Sequence, residues 1–321
     1  MFNRLAPAVA AGLAAAVLFA LAAKGLTAAI PLSLLTPLPL FIAVLGWGFE
    51  AALIAIAIAT VALTALFGAE ISLPFFLVFG PATLGLGFVA LARVQKDGAG
   101  FNFLPLSMIA LTIPLASSIA VSVFVLVWAY LAGSYHAMFA DMSALLAPAV
   151  TEFQDMAARA HVDLPPELSG DTLARLMALS FPGALAIAAT VLVAVNFWLA
   201  ARAAQISGLL ARPWPDLPSQ FRASRIQLGL TLLAFAALCL FRSVAVLYAG
   251  VLFFALIISL SLCGLAVMHD WLRGGGPFRF FLIAVVYLLI VWLFGLPIYL
   301  FALIGFADAI YPLRKTKLAQ T

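Results

Sequence analysis

Ile226-Gln-Leu-Gly-Leu-Thr-Leu-Leu-Ala-Phe-Ala-Ala-Leu-Cys-Leu-Phe-Arg242-Ser-Val-Ala-Val-Leu-Tyr-Ala-Gly-Val-Leu-Phe-Phe-Ala-Leu-Ile-Ile-Ser-Leu-Ser-Leu-Cys-Gly-Leu-Ala-Val-Met268 is an unbroken apolar stretch holding a single charge. A bilayer core about 30 Å thick takes roughly 20 helical residues, so the stretch is too long for one span. An arginine at the bilayer centre costs on the order of 3 kcal/mol even on the mildest insertion scale. The Arg242-Ser243 pair therefore predicts a sharp turn at a membrane face, with a spanning helix on either side.

The whole chain fits that reading. Of its 321 residues 66% are hydrophobic and 9% charged, with a mean hydropathy of +1.22. Soluble domains carry about 25% charged residues, so this chain lacks the polar surface to face water. The predicted fold is all-α: a polytopic transmembrane helix bundle of eight to ten segments, some short or broken by proline, forming one integral membrane domain. The first run, about Leu5–Leu26 after Arg4, is too long for a signal-peptide core and reads as a retained span. Further runs follow at Leu32–Gly46 (short enough to be re-entrant), Phe49–Phe67, Ile71–Leu91, Phe103–Leu131, Met177–Ala201, Ile226–Phe241 and Val244–Met268. In Phe280–Tyr311, Gly295-Leu-Pro297 predicts either one kinked helix or a hairpin.

Charge chooses the hairpin. With the N-terminus cytoplasmic and ten segments, one face holds Arg4, Arg93, Lys96, Arg202, Arg212, Arg222, Arg225, Arg273, Arg279, Arg314, Lys315 and Lys317. The other holds Lys24, Arg159, Arg175 and Arg242, so positive charge concentrates inside and both termini are expected there. The net charge of +4 reads as topology and is not evidence for a nucleic-acid partner, and none is expected. The segments group as a four-segment bundle over 1–97, an outer insert over 133–175, an inner loop over 202–225 and C-terminal helices over 226–312. Cys239 and Cys263 lie inside apolar runs and read as small hydrophobes.

The outer insert carries Asp141, Glu152, Asp155, Asp163, Glu167 and Asp171. Within it Phe139, Met142, Leu146, Val150, Phe153, Met156 and Ala160 recur at helical spacing, predicting an amphipathic helix ended by Pro165-Pro166, with Asp171 capping the next. That helix either packs on the bundle or headgroups, or forms a lid over a substrate path. The inner loop contains Arg212-Pro-Trp-Pro-Asp-Leu-Pro218, too proline-dense for regular helix, with Trp214 suited to the interface and basic residues suited to anionic lipid.

Catalytic signatures of soluble enzymes are absent, and no enzyme activity, cofactor or metal is expected. Gly85-Leu-Gly87 reads as close helix packing, as does the ridge Ala8, Gly12, Ala16 and Ala20, which either packs internally or docks a partner. His136 and His161 share the acidic outer loop without a standard ligand spacing. Ionisable or amide groups in membrane segments are site candidates by default. They are Glu50, Asn196, His269, Asp270 and Asp308. His269-Asp270 reads as a polar helix end or an ion-handling pair, and Asp308 as a partner of Arg314. Pro31, Pro37, Pro39, Pro74, Pro81, Pro105 and Pro114 hint at discontinuous helices of the kind that form transporter sites.

Gly264-Leu-Ala-Val-Met-His-Asp-Trp-Leu-Arg273 and Gly305-Phe-Ala-Asp308-Ala-Ile-Tyr-Pro-Leu-Arg314 resemble segments of the YybS-like family of bacterial polytopic membrane proteins (domain of unknown function 2232). Trp214-Pro-Asp-Leu-Pro218 and the Pro37-Leu-Pro39…Gly46-Trp-Gly48 region are similar to it too. The resemblance implies a bacterial cytoplasmic-membrane location and assigns no activity. The first four spans also resemble substrate-binding subunits of energy-coupling-factor transporters, through their small-residue helices and prolines.

Two functions are expected as alternatives. One is a transport-type protein binding a small solute between its helices, with a partner subunit supplying energy and membrane lipid as its surroundings. It predicts a polar-lined cavity reaching toward Glu50 or Asn196, whose alanine variants lose function and keep assembly. The other is a scaffold that recruits a partner through basic inner loops, and it predicts a solid apolar interior with small residues facing lipid.

Overall fold

The computed structural model describes residues 2–23, 30–96, 100–162, 165, 170–293 and 295–314. Helix α1 covers Phe2–Ala23, and the second apolar run is split into α2, Ile30–Ser33, and α3, Pro37–Trp47. Then come α4, Phe49–Phe67, and α5, Ala69–Leu91, before a two-stranded antiparallel hairpin of β1, Arg93–Lys96, and β2, Gly100–Phe103. Helix α6 is Leu106–Leu131, α7 Tyr135–Arg159, α8 Gly170–Ile206, and α9 the single turn Leu217–Gln220. The chain closes with α10, Arg225–Leu240, α11, Val244–Trp271, α12, Phe278–Trp292, and α13, Leu296–Ile310. Among the described residues six helices, α1, α4, α5, α6, α8 and α11, are long and apolar enough to cross a bilayer.

The turn at Arg242 is as predicted. Helix α10 stops at Leu240, exposed Arg242 follows, and the Ser243 hydroxyl caps α11 by accepting from the Ala245 amide at 3.4 Å. The final run is a hairpin, because Gly295 takes φ 84° and Pro297 sits in the first turn of α13, where its missing N–H costs nothing. At 15 residues each, α12 and α13 are about 22 Å long, shorter than the hydrocarbon core.

Several of the arginines that charge counting assigns to a single face gather at one end of the bundle. Arg4 pairs there with Glu50 at 3.5 Å, Arg93 lies 4.8 Å from the Phe103 ring centre, and Arg273 and Arg314 bind the 207–224 loop. Lys24, Lys315 and Lys317 lie outside the described residues, as do Asp163, Pro166 and Glu167 of the outer insert.

Three of the seven prolines singled out do not break their helices. Pro74 and Pro81 lie inside a continuous α5, and Pro114 inside α6. A proline frees the carbonyl four residues back. For Pro114 that is the Ala110 carbonyl, which accepts from the Ser259 hydroxyl of α11 at 2.6 Å, and Ser259 in turn accepts from Gln227 Nε2 of α10 at 3.1 Å. Buried polar groups here repair backbone, as hydrocarbon demands. The run around Pro31 and Pro37 is interrupted, between Ser33 and Pro37.

Glycines set the closest contacts. The ridge on α1 faces the bundle: Ala8 and Ala16 are buried, Ala20 is partly so, and a Cβ on Gly12 would stand 2.5 Å from the Ala55 carbonyl of α4. A Cβ on Gly87 would meet Val44 of α3 at 2.2 Å, the close packing that Gly85-Leu-Gly87 predicts, although Gly85 itself has ordinary room. The tightest approach joins α11 to α13. A Cβ on Gly264 would lie 1.9 Å from the Phe301 carbonyl, and one on Gly305 would lie 2.1 Å from the Leu260 carbonyl.

Helix α7 is the amphipathic outer helix, but it ends at Arg159, before Pro165-Pro166, through an Ala160 cap and a left-handed His161 at φ 54°. Its Met138 and Met142 pack among Val121, Val125, Ala178 and Val251 at the outer ends of α6, α8 and α11. Phe153 and Met156, predicted on the apolar face, are exposed. The following helix, α8, begins at Gly170 and runs 37 residues, about 55 Å, well beyond the core thickness.

Candidate functional site

At the basic end the helices do not close on one another. A cavity of about 580 Å³ lies between α6, α8 and α11 and beneath the 207–224 loop. Leu106, Ile109 and Ile113 form one wall, Ala194 and Ala201 of α8 another, Leu262 and Ala266 of α11 a third. Two half-exposed rings, Trp198 of α8 and Tyr287 of α12, line its side. That size falls in the range of about 300–1,000 Å³ usual for small-molecule sites, which pair apolar walls with a few placed polar groups.

Some of those polar groups come from the roof. The proline-dense segment forms no helix before the single turn α9 at Leu217, folds back over the cavity, and contributes Arg212, Trp214 and Pro218 to its lining. The Arg212 guanidinium lies over the Phe103 ring of the β-hairpin at 5.8 Å, and Arg202 lies over Trp214 at 5.3 Å. Arg212 Nη1 is buried and has no hydrogen-bond partner among the described residues. Burial pulls the Arg212 pKa below its ordinary value, the sign of a cation short of water. The wall between α11 and α12 is joined by His269 Nε2 and the Tyr287 hydroxyl, 3.2 Å apart.

Two arginines from the C-terminal half pin this roof. Arg273 Nη1 donates to Asp216 at 2.6 Å with a second contact from Nη2, which raises the Arg273 pKa. Arg314 donates to the Pro218 carbonyl at 2.7 Å and the Phe221 carbonyl at 3.0 Å while its Nη2 pairs with Asp308. Asp308 and Arg314 are only 3% and 2% exposed, and Arg222 Nε approaches the same carboxylate at 3.9 Å.

Of the five candidates read from sequence, His269 alone lines the cavity. Glu50 is an exposed partner of Arg4. Asp270 turns to Arg273 Nε at 3.5 Å while His269 turns to Tyr287, so the two do not act as a pair. Asp308 pairs with Arg314, as expected. Asn196 is 1% exposed and donates from Nδ2 to the Leu34 carbonyl, in the break between α2 and α3, and to the Leu192 carbonyl, both at 2.9 Å. Its Oδ1 has no partner among the described residues, but Asn196 does not line the cavity. Asn196→Ala is therefore expected to lower stability by about 1–3 kcal/mol through the orphaned Leu34 carbonyl, seen as a lower melting midpoint in detergent. An unchanged midpoint would reject the backbone-repair role.

The residues that sequence reasoning passed over are Arg212 as a cavity residue, Trp198 and Tyr287. The one available signal was the proline-dense loop carrying an arginine and a tryptophan. Helix α7 contributes nothing to the lining of this cavity, which is at the opposite end. Among the described residues no group of three or more metal-ligating side chains occurs, His136 and His161 included.

Apolar helices of membrane-crossing length, a basic end and a cavity between them define a multi-pass integral membrane protein. Residues 13–309 match the model of the family described as "Predicted membrane protein (DUF2232)", and the chain belongs to that family. The match takes in the whole of the first C-terminal motif and the second as far as Ala309, and their glycines are the two faces of one contact, Gly264 on α11 and Gly305 on α13. No curated protein and no solved structure matches the chain, and nothing supports the likeness to energy-coupling-factor subunits.

Proposed function

We propose that the protein binds a small, largely apolar molecule inside the membrane and acts in a transport-type role, as a carrier or capture component. The supporting observation is the cavity of about 580 Å³, whose lining includes the half-exposed rings of Trp198 and Tyr287. The solute expected from sequence was one that a polar-lined cavity near Glu50 or Asn196 would hold. The cavity that is present has apolar walls and lies elsewhere, which favours an apolar ligand drawn from the bilayer. The scaffold alternative has less to rest on, since the small-residue ridge of α1 is taken up by α4. Binding rather than catalysis is the role we propose, with the bacterial cytoplasmic membrane as the location. The basic end then faces the cytoplasm with both termini, where a partner subunit would dock.

Filling the cavity tests this. Native mass spectrometry of the wild-type protein after mild detergent extraction is expected to show a bound small molecule. Ala266→Phe, which puts a ring into the cavity without touching the pinned roof, is expected to remove it. A bare wild-type mass, or an adduct undiminished in the variant, would refute the cavity as the site.

A further inference from the structure

The polar end of the cavity narrows what fits. Its walls are aliphatic and aromatic, yet its mouth carries a guanidinium with one nitrogen buried and no acceptor among the described residues. Leaving a buried charged donor unpaired is costly, more so than for a neutral group. Two more cations stand close by: Arg93 shares the Phe103 ring with Arg212, and Arg202 lies over the lining residue Trp214. An apolar chamber with an arginine at its mouth and two half-exposed rings in its side, within a membrane protein, calls for a ligand with an apolar tail and an acidic head. Its volume is that of a drug-sized ligand, which suits one chain rather than two.

Building on the binding role above, we infer that the ligand is a single-chain lipid with an anionic head, a carboxylate or a phosphate, whose head oxygens accept from the Arg212 guanidinium at the cavity lining while its tail lies between α6, α8 and α11. It enters sideways between Trp198 and Tyr287, tail first, and its head stops at the roof. Arg212 is thus a ligand-binding residue and the proline-dense loop is the element that holds it there.

The two cavity tryptophans, Trp198 and Trp214, give a direct readout. The full-length protein in detergent is titrated with dibrominated stearic acid, dibrominated stearyl phosphate and the uncharged methyl ester of the acid, each a contact quencher of tryptophan. Ala266→Phe serves as the baseline for partition into the micelle. Wild type is expected to be quenched beyond that baseline, with an acid half-saturating at a concentration about tenfold or more below the ester. The tighter of the two acids identifies the head. Arg212→Gln is expected to erase the preference for acid over ester and keep ester binding, and Arg212→Lys to retain part of it. Equal affinity of wild type for acids and ester, or a preference surviving in Arg212→Gln, overturns this inference and leaves the cavity standing. Quenching no greater than the Ala266→Phe baseline with every probe removes the binding role itself.

Discussion

Replacing Asp308 by alanine is expected to destabilise the protein by about 3–5 kcal/mol, the usual penalty for removing one member of a buried ion pair. Arg314 would be left charged in a site where it is 2% exposed, and Arg222 would lose the same carboxylate. The Leu313 amide, which donates to Asp308 Oδ1 at 3.0 Å, would be orphaned as well. The measurement is the thermal midpoint and the monodisperse fraction after detergent extraction. Asp308→Leu combined with Arg314→Met should recover part of the loss, since it removes both charges at similar volume. The recovery stays partial because the Pro218 and Phe221 carbonyls lose their donor. A single variant as stable as wild type would mean that the network carries no weight.

Gly264→Leu, and to a lesser degree Gly264→Ala, should push α13 off α11. The obstruction is backbone, not a movable side chain: the Phe301 carbonyl at 1.9 Å and the Gly305 amide nitrogen at 3.1 Å from the added Cβ. Overpacking a core typically costs about 1–3 kcal/mol, and here no rotamer change relieves it, so the upper part of that range or more is expected. Gly305→Leu should behave alike, because the Leu260 carbonyl stands 2.1 Å from its Cβ. Gly229→Ala is the control: nothing lies within 4 Å, and it should be neutral or stabilising by about 0.5–1 kcal/mol. Melting curves of the set in one detergent decide the matter, and equal midpoints for Gly264→Ala and Gly229→Ala would reject the close-contact account.

What hydrocarbon forbids was legible from the sequence. Arg242 and the Gly295–Pro297 punctuation state where helices must stop, and the gathering of arginines at one end follows from charge asymmetry alone. Proline positions misled, because whether a proline breaks a helix depends on what repairs the carbonyl it frees. Ser259 does this for Pro114 from a helix distant in sequence, and no local pattern reveals it. Asn196 drew attention as a polar group in a span, and its distant partner, Leu34, gives it a structural role. Arg212 was legible as a loop charge only. Its place at a cavity mouth depends on how Arg273 and Arg314 fold the loop back, which is tertiary information.

Helix α12 buries none of its side chains. Beyond its connections to α11 and α13, the contact that ties Tyr287 to the cavity wall is the one with His269. The acyl chains pressing on α12 from outside thus complete that wall, and membrane tension or thickness enters the free energy of filling the chamber. Affinities for the same ligand should differ between thin and thick bilayers even when no residue changes.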